Sequence, residues 1–214
     1  DEDRARIHHA LDGAREEGRA DPDALALIER ALLSPPEPGN GTRNAFAARL
    51  QQASGPAAAK GVEDTALYVW LPLVSPNEVG ASRERSLEGA DARFHARNAM
   101  RSRDWPTGLL ATNTHDTKRC ADVRARLDML ATIPTEWARH VSRWRRLNRK
   151  FKQVVRGKPA PGTNGEYLYY QTIVGIWPAS DPDRRADDLP DAAWRQHARE
   201  RMRPYALKAA REAK

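Results

Sequence analysis

The run Thr114-His115-Asp116-Thr117-Lys118-Arg119 sets an imidazole, a carboxylate and two cations directly behind a short apolar segment, Leu109 to Thr112. In barrel enzymes the inward strand residues fill the core, while residues at the C-terminal end of a strand project into the active-site mouth. An apolar run followed by this polar cluster is therefore the pattern expected of a strand that carries chemistry. His-Asp pairs also act as caps and satisfied loop contacts, and the pair alone does not separate the two readings.

A second cluster has a related layout. The segment Ala57 to Tyr68 is apolar without a clean period and is flanked by Lys60, Glu63 and Asp64. It reads as a short strand with polar residues at its end. Those side chains either line a cleft or tie the loop to its neighbours by ion pairs, and the same alternatives apply to Asn77 and Glu78. Cys120 follows Arg119, but no base stands near it in sequence, so an inert thiol is expected.

The elements that must position these clusters are mainly helical. Ile7, Leu11 and Ala14 mark one stripe in Arg4 to Glu17, with Gly18 as a stop. Asp21 as N-cap and Pro22 at the first position open a helix with Leu25, Ile28 and Leu32 on one face. Ser34-Pro35-Pro36-Glu37-Pro38-Gly39-Asn40-Gly41 reads as a loop. Phe46 to Gln52 resumes as helix before Gly55-Pro56. Asp91 to Met100 and Asp122 to Ala131 are predicted helices, and another begins after Pro134 with Thr135 as cap, running on until Pro159-Ala160-Pro161-Gly162. Within it Trp137, Val141, Trp144, Leu147 or Asn148, and Phe151 form the buried face. Tyr167 to Trp177 is apolar enough to be buried, as helix or strand. The last helix starts near Ala192, with Pro204 predicted to kink it.

Composition limits the function classes. The chain has 214 residues, 40% hydrophobic and 30% charged, which suits a globular fold with a core. One cysteine excludes an internal disulfide framework and a cysteine-based zinc site, which makes a reducing cytoplasm the expected compartment. Nothing approaches a membrane span or an apolar signal core. The start at Asp1, without an initiator methionine, suggests a processed or excised piece. The net charge of +7 raises a nucleic-acid reading, since Arg139, Arg143, Arg145, Arg146, Arg149, Lys150, Lys152, Arg156 and Lys158 interleave with aromatics. The helical spacing of those aromatics favours an ordinary solvated cationic face.

Several strings resemble a known family. Gln52-Ala53-Ser54-Gly55-Pro56, Ala59-Lys60-Gly61-Val62-Glu63-Asp64-Thr65-Ala66-Leu67-Tyr68, Asn77-Glu78-Val79-Gly80, Phe94-His95, Thr114 to Arg119 and Asp122 to Leu127 are similar to maltooligosyltrehalose synthase. So are Gln171-Thr172, Gly175-Ile176-Trp177-Pro178 and Lys208 to Lys214. The resemblance covers roughly residues 46 to 214. It implies the α-amylase superfamily, with a (β/α)8 catalytic barrel and large helical insertions. It also implies an isomerase that turns the reducing-end α-1,4 linkage of a maltooligosaccharide into an α,α-1,1 linkage by intramolecular transglucosylation. The superfamily uses a nucleophilic Asp, a Glu acid/base and a second Asp, and His115-Asp116 resembles the motif supplying that second Asp and a sugar-binding His.

The chemistry fits such residues. Retaining glycosyl transfer passes through an oxocarbenium-like transition state in which hydrogen bonds to ring hydroxyls strengthen. Asp116 is then the candidate catalytic carboxylate. His115, Lys118, Arg119, Lys60, Glu63 and Asp64 are the candidate substrate-binding residues. Lys118 and Arg119 could hold Asp116 ionised, or pair with local acids and solvent. Tyr68, Trp70 and Trp105 could stack on sugar rings or pack in the core, whereas Trp137, Trp144, Trp177 and Trp194 read as packing residues.

Departures from the family pattern are Cys120-Ala121, Ala57-Ala58 and Val69-Trp70. No candidate nucleophile or acid/base Glu is found, so the chain alone is expected to be inactive. The fold expected is α/β and predominantly helical, a partial (β/α)8 barrel segment with a helical insertion. Its parts would be a helical segment 1–56, a barrel segment 57–131 with the His-Asp loop, and a helical subdomain 132–214. No cofactor or metal is implied. The partners implied are a maltooligosaccharide and, by family, a trehalose-releasing hydrolase, with neither nucleic acid nor membrane. The rival readings are a non-catalytic maltooligosaccharide-binding module and a basic helical nucleic-acid-binding domain.

Overall fold

The computed structural model describes residues 2–18, 20–35, 38–81, 88–178 and 188–213. Pro36 and Glu37 of the expected loop, like Asp1 and Lys214, lie outside the described residues. The chain divides into two compact units, Asp1–Lys60 and Gly61–Lys214.

The first unit contains α1 (Glu2–Glu16), α2 (Pro22–Leu33) and most of α3 (Gly41–Gly61). The Asp21 carboxylate accepts hydrogen bonds from the Asp23 and Ala24 amides, and Pro22 takes the first turn, where no backbone donor is needed. Gly18, just past α1, has φ +64°, a left-handed conformation natural to glycine. α1 and α2 pack on each other with Leu11, Leu25 and Ala31 buried. Arg15 joins Asp12 and Glu29 beside that seam.

The expected strand within Ala57 to Tyr68 is helical instead. α3 runs through Gly55-Pro56 to Gly61, and Val62–Ala66 continues as a π-helical turn before the short α4 (Leu67–Val69). Three consecutive alanines at 57–59 favour helix strongly, whereas Pro56 removes only one backbone donor. The helix predicted to end near Gln52 is correspondingly longer.

The second unit continues with α5 (Ala90–Asp104), α6 (Ala121–Asp128), a 3₁₀ turn Met129–Thr132 and α7 (Pro134–Asn148). A further 3₁₀ turn, Arg149–Phe151, leads into β1 (Gln153–Val155) and β2 (Lys158–Ala160), followed by α8 (Thr163–Ile176) and α9 (Ala192–Glu212). β1 and β2 form an antiparallel hairpin, with Gln153 opposite Ala160 and Val155 opposite Lys158. Among the described residues this hairpin is the sheet, and a partial barrel is not seen. Leu109 to Thr112, predicted as a strand, has irregular backbone, and Leu109 is fully exposed. A strand needs a neighbour to complete its ladder, and this segment has none among the described residues.

Other boundaries also move. Pro134 is itself the first residue of α7, with Ile133 at the cap in place of Thr135. α7 stops at Asn148 and does not reach Pro159, so Phe151 leaves the buried face and is exposed, with the Lys150 ammonium 5.1 Å from its ring centre. Tyr167 to Ile176 is helix, with Trp177 at its C-terminal cap. α9 continues across Pro204, and the Asp191 carboxylate accepts from the Trp194 amide at its start.

The core of this unit joins Tyr68, Leu71 and Val74 to Leu127 and Leu130 of the α6 region, Trp137 of α7, Leu168 and Tyr170 of α8 and Ala209 of α9. Trp137 meets Trp144 edge to face at 5.7 Å, and Trp177 meets Trp194 in the same way at 5.6 Å. α6 and α8 approach closely at Gly175, where a Cβ would come within 2.7 Å of a Val123 methyl. Among the described residues no helix is long and apolar enough to cross a membrane.

Candidate functional site

The segment after α4 is non-repetitive, and α8 holds it along one helical face. Asn164, Tyr167 and Gln171 are spaced three and four residues apart, which lines them up on one side of a helix. Asn164 Nδ2 donates to the Val69 carbonyl at 3.0 Å and the Tyr167 hydroxyl to the Pro72 carbonyl at 3.0 Å. Gln171 spans the next stretch, its Nε2 donating to the Leu71 carbonyl and its Oε1 accepting from the Val74 amide, both at 2.9 Å. Gln171 is wholly buried, so its amide replaces water for two main-chain groups at once.

Asn77, also wholly buried, closes the same segment on itself by donating to the carbonyls of Leu67 and Trp70 at 3.1 and 2.7 Å. The next residue, Glu78, reaches across to the His-Asp loop. Its Oε1 accepts from the Lys118 amide at 2.6 Å and from the Val79 amide at 3.0 Å, and its Oε2 accepts from the Arg119 amide at 3.0 Å. Glu63, on the π-helical turn, accepts from the Gly80 amide at 3.0 Å and so ties this segment to that turn.

The loop is also ordered from within. The Thr114 amide donates to Thr117 Oγ1 at 2.7 Å, and the Asp116 amide donates to Thr114 Oγ1 at 3.3 Å. At its flanks Asn113 Oδ1 accepts from the Ala121 amide at 3.0 Å, and the Arg124 guanidinium donates to the Thr112 carbonyl at 2.7 Å. The result is a tight polar turn whose two central side chains, His115 and Asp116, are exposed. Neither is paired with another side chain among the described residues.

The two cations after Asp116 are directed elsewhere. The Lys118 ammonium lies 3.5 Å from the Asp64 carboxylate and 5.1 Å from the centre of the Tyr68 ring. The Arg119 guanidinium donates to the Tyr205 hydroxyl at 2.8 Å and to the Val74 carbonyl at 3.4 Å. Burial pushes the Tyr205 phenol above its ordinary range, against the opposing field of Arg119. Lys118 and Arg119 thus hold the loop to the body of the unit, the local pairing that sequence left open beside an ionising role for Asp116.

The structure therefore brings Glu63, Asp64, Glu78, Lys118 and Arg119 into one network beneath His115 and Asp116. Lys60 lies at the C-terminal end of α3, in the first unit, and is exposed. Tyr68 is buried and packs in the core, whereas Trp70 and Trp105 are exposed. Gln171 and Tyr205 were not singled out as site residues by sequence reasoning, and of the two alternatives weighed for Asn77 its contacts are local ties to the main chain. For Gln171 the physical signal was an amide inside a largely apolar helix, which calls for a buried partner, beside its place in the family-like string Gln171-Thr172.

No protein-family model matches the chain. A Mycobacterium tuberculosis protein named as a maltooligosyl trehalose synthase is 38% identical over 190 residues, 88% of this chain and 21% of that protein. The structure of maltooligosyltrehalose synthase from Arthrobacter ramosus matches with a TM-score of 0.66 and 33% identity, covering 98% of this chain and 23% of that one. A Sulfolobus tokodaii structure, named as a hypothetical maltooligosyl trehalose synthase, matches with a TM-score of 0.56 and 27% identity over 99% of this chain and 28% of that one. The chain thus spans about a fifth of the length of the curated relative it matches.

Proposed function

We infer that this chain, homologous to a stretch of maltooligosyltrehalose synthase, supplies one of the catalytic carboxylates of an intramolecular transglucosylase. The full-length protein would move the reducing-end glucose of a maltooligosaccharide from an α-1,4 to an α,α-1,1 linkage. The observation that carries this reading is the convergence of separate family-like strings on one frame. Glu63 and Asp64, Asn77 to Gly80, Thr114 to Arg119 and Gln171 lie far apart in sequence, yet they are linked by hydrogen bonds and an ion pair. At the outer surface of that frame stand His115 and Asp116, exposed and without a side-chain partner among the described residues.

In this role the Asp116 carboxylate accepts hydrogen bonds from ring hydroxyls and stabilises positive charge as the glycosidic bond lengthens. Such bonds are stronger in the transition state than in the ground state, which is the condition for raising the rate. His115 orients a neighbouring hydroxyl. The nucleophile and the acid/base come from residues of the full-length protein beyond these 214, as does the strand neighbour that would let Leu109 to Thr112 complete a barrel ladder. A hydrolase that releases trehalose would consume the product.

The test is incubation of the full-length protein with maltopentaose. Reducing ends should disappear while the number of glucose units per molecule stays constant. Unchanged reducing ends, or their increase by hydrolysis alone, would remove this reading.

A further inference from the structure

We propose that Glu78 is a positioning residue for Asp116, a role that rests on the glucosyl-transfer reading above. The Glu78 side chain is buried, and an ionised carboxylate can only accept hydrogen bonds. Both of its oxygens are occupied by main-chain donors, Val79 and Lys118 on one and Arg119 on the other. Bonds from amides to a charged acceptor are shorter and stronger than neutral ones, and the 2.6 Å bond from Lys118 is of that kind.

The location of these donors gives Glu78 its significance. Two of them, Lys118 and Arg119, are the second and third residues after Asp116, so Glu78 fixes the point where the chain leaves the polar turn. The entrance is fixed independently by Arg124 on the Thr112 carbonyl and by Asn113 on the Ala121 amide. Asp116 has no side-chain partner of its own among the described residues, so what the protein sets is its backbone position and the direction of its Cα–Cβ bond. With entrance and exit both pinned, the backbone position from which the carboxylate reaches out is set before any sugar arrives. That arrangement is what preorganised transition-state stabilisation requires.

Attachment of the loop and placement of Asp116 are separable here. The side chains of Lys118 and Arg119 are held by other groups, Asp64 and Tyr68 for the first and Val74 and Tyr205 for the second. Loss of the Glu78 charge therefore leaves the loop docked but frees its main chain. Glu78→Gln has the same shape, yet its NH₂ group must face an amide donor whichever way the side chain turns.

The experiment compares Glu78→Gln and Glu78→Asp with wild type and Asp116→Asn in the full-length protein acting on maltopentaose, with rates expressed per folded molecule. A misplacement of about 1 Å near reacting atoms costs up to about 100-fold in rate. Glu78→Gln should therefore lower kcat by about 10- to 100-fold, with KM changed less than about threefold. Glu78→Asp keeps the charge at shorter reach and should fall between, and it carries the test if Glu78→Gln does not fold. Amide exchange at Lys118 and Arg119 should accelerate in both variants. A merely structural role would reduce the yield of folded protein and leave kcat per folded molecule unmoved. A folded Glu78 variant with kcat within twofold of wild type, beside an inactive Asp116→Asn, overturns the positioning role alone. An active Asp116→Asn overturns the functional reading and this proposal with it.

Discussion

Gln171→Leu keeps the volume of a core side chain but strips two main-chain groups of their partners. The wild-type amide is wholly buried and serves the Leu71 carbonyl and the Val74 amide at 2.9 Å each. Leaving a buried donor or acceptor unsatisfied costs about 1–3 kcal/mol, so the two together come to about 2–6 kcal/mol. Leucine recovers part of this, because it buries apolar surface where an amide was desolvated. We expect a net loss of about 3 kcal/mol. For a unit of roughly 150 residues each kcal/mol moves Tm by about 2–4 °C, so Tm should fall by about 6–12 °C. Thermal unfolding followed by far-ultraviolet circular dichroism reads the shift directly. Gln171→Glu, which sets a carboxylate against the Leu71 carbonyl, should lose at least as much. A drop below about 3 °C in the leucine variant would refute the claim that α8 holds the 71–74 segment through these bonds.

Two further outcomes follow from packing and charge. Burial opposes the charge on Glu166, but hydrogen bonds from Lys152 and Tyr170 and the fields of Lys152 and Arg145 outweigh it and hold its carboxyl below the ordinary value of 4.5. The unfolded chain then binds that proton more readily, so the stability Glu166 contributes is full above about pH 4.5 and is lost as pH falls through the folded pKa. Glu166→Gln should flatten this acid limb in urea titrations and cost about 1.5–3 kcal/mol at neutral pH; an unchanged limb would count against the network. Gly175→Ala brings a methyl within 2.7 Å of the branched Val123 side chain and should destabilise by about 1–3 kcal/mol despite the better helix propensity of alanine. A stabilised variant would show that α6 and α8 are not so closely seated.

The sequence made legible those features set by local chemistry. Asp21 with Pro22, and Gly18, marked their helix ends because caps and left-handed positions depend on a few adjacent residues. The inward face of α7 was legible in Trp137, Val141 and Trp144 because helical period needs no knowledge of partners. Features set by distant partners were not legible. Leu109 to Thr112 has a strand's composition but finds no ladder among the described residues, and Ala57 to Asp64 is governed by its alanines more than by the polar residues that suggested a strand end. The β1–β2 hairpin escaped notice because periodicity carried the preceding helix forward past Asn148. At the site, His115 and Asp116 stood out by type. Their support did not, since Glu78 lies about 40 residues before the amides it binds and Gln171 nearly 100 after the segment it holds.

The account stands on Asp116 as a carboxylate that stabilises the transition state of glucosyl transfer, and single-site replacement in the full-length protein tests this most directly. Asp116→Asn leaves the Thr114 and Thr117 turn and the Glu78 bonds intact, because Asp116 contributes only its amide to them. The variant should fold with an unchanged melting profile and lose about 100- to 1,000-fold in kcat on maltopentaose. A folded Asp116→Asn protein that converts maltopentaose at close to the wild-type rate would contradict the account.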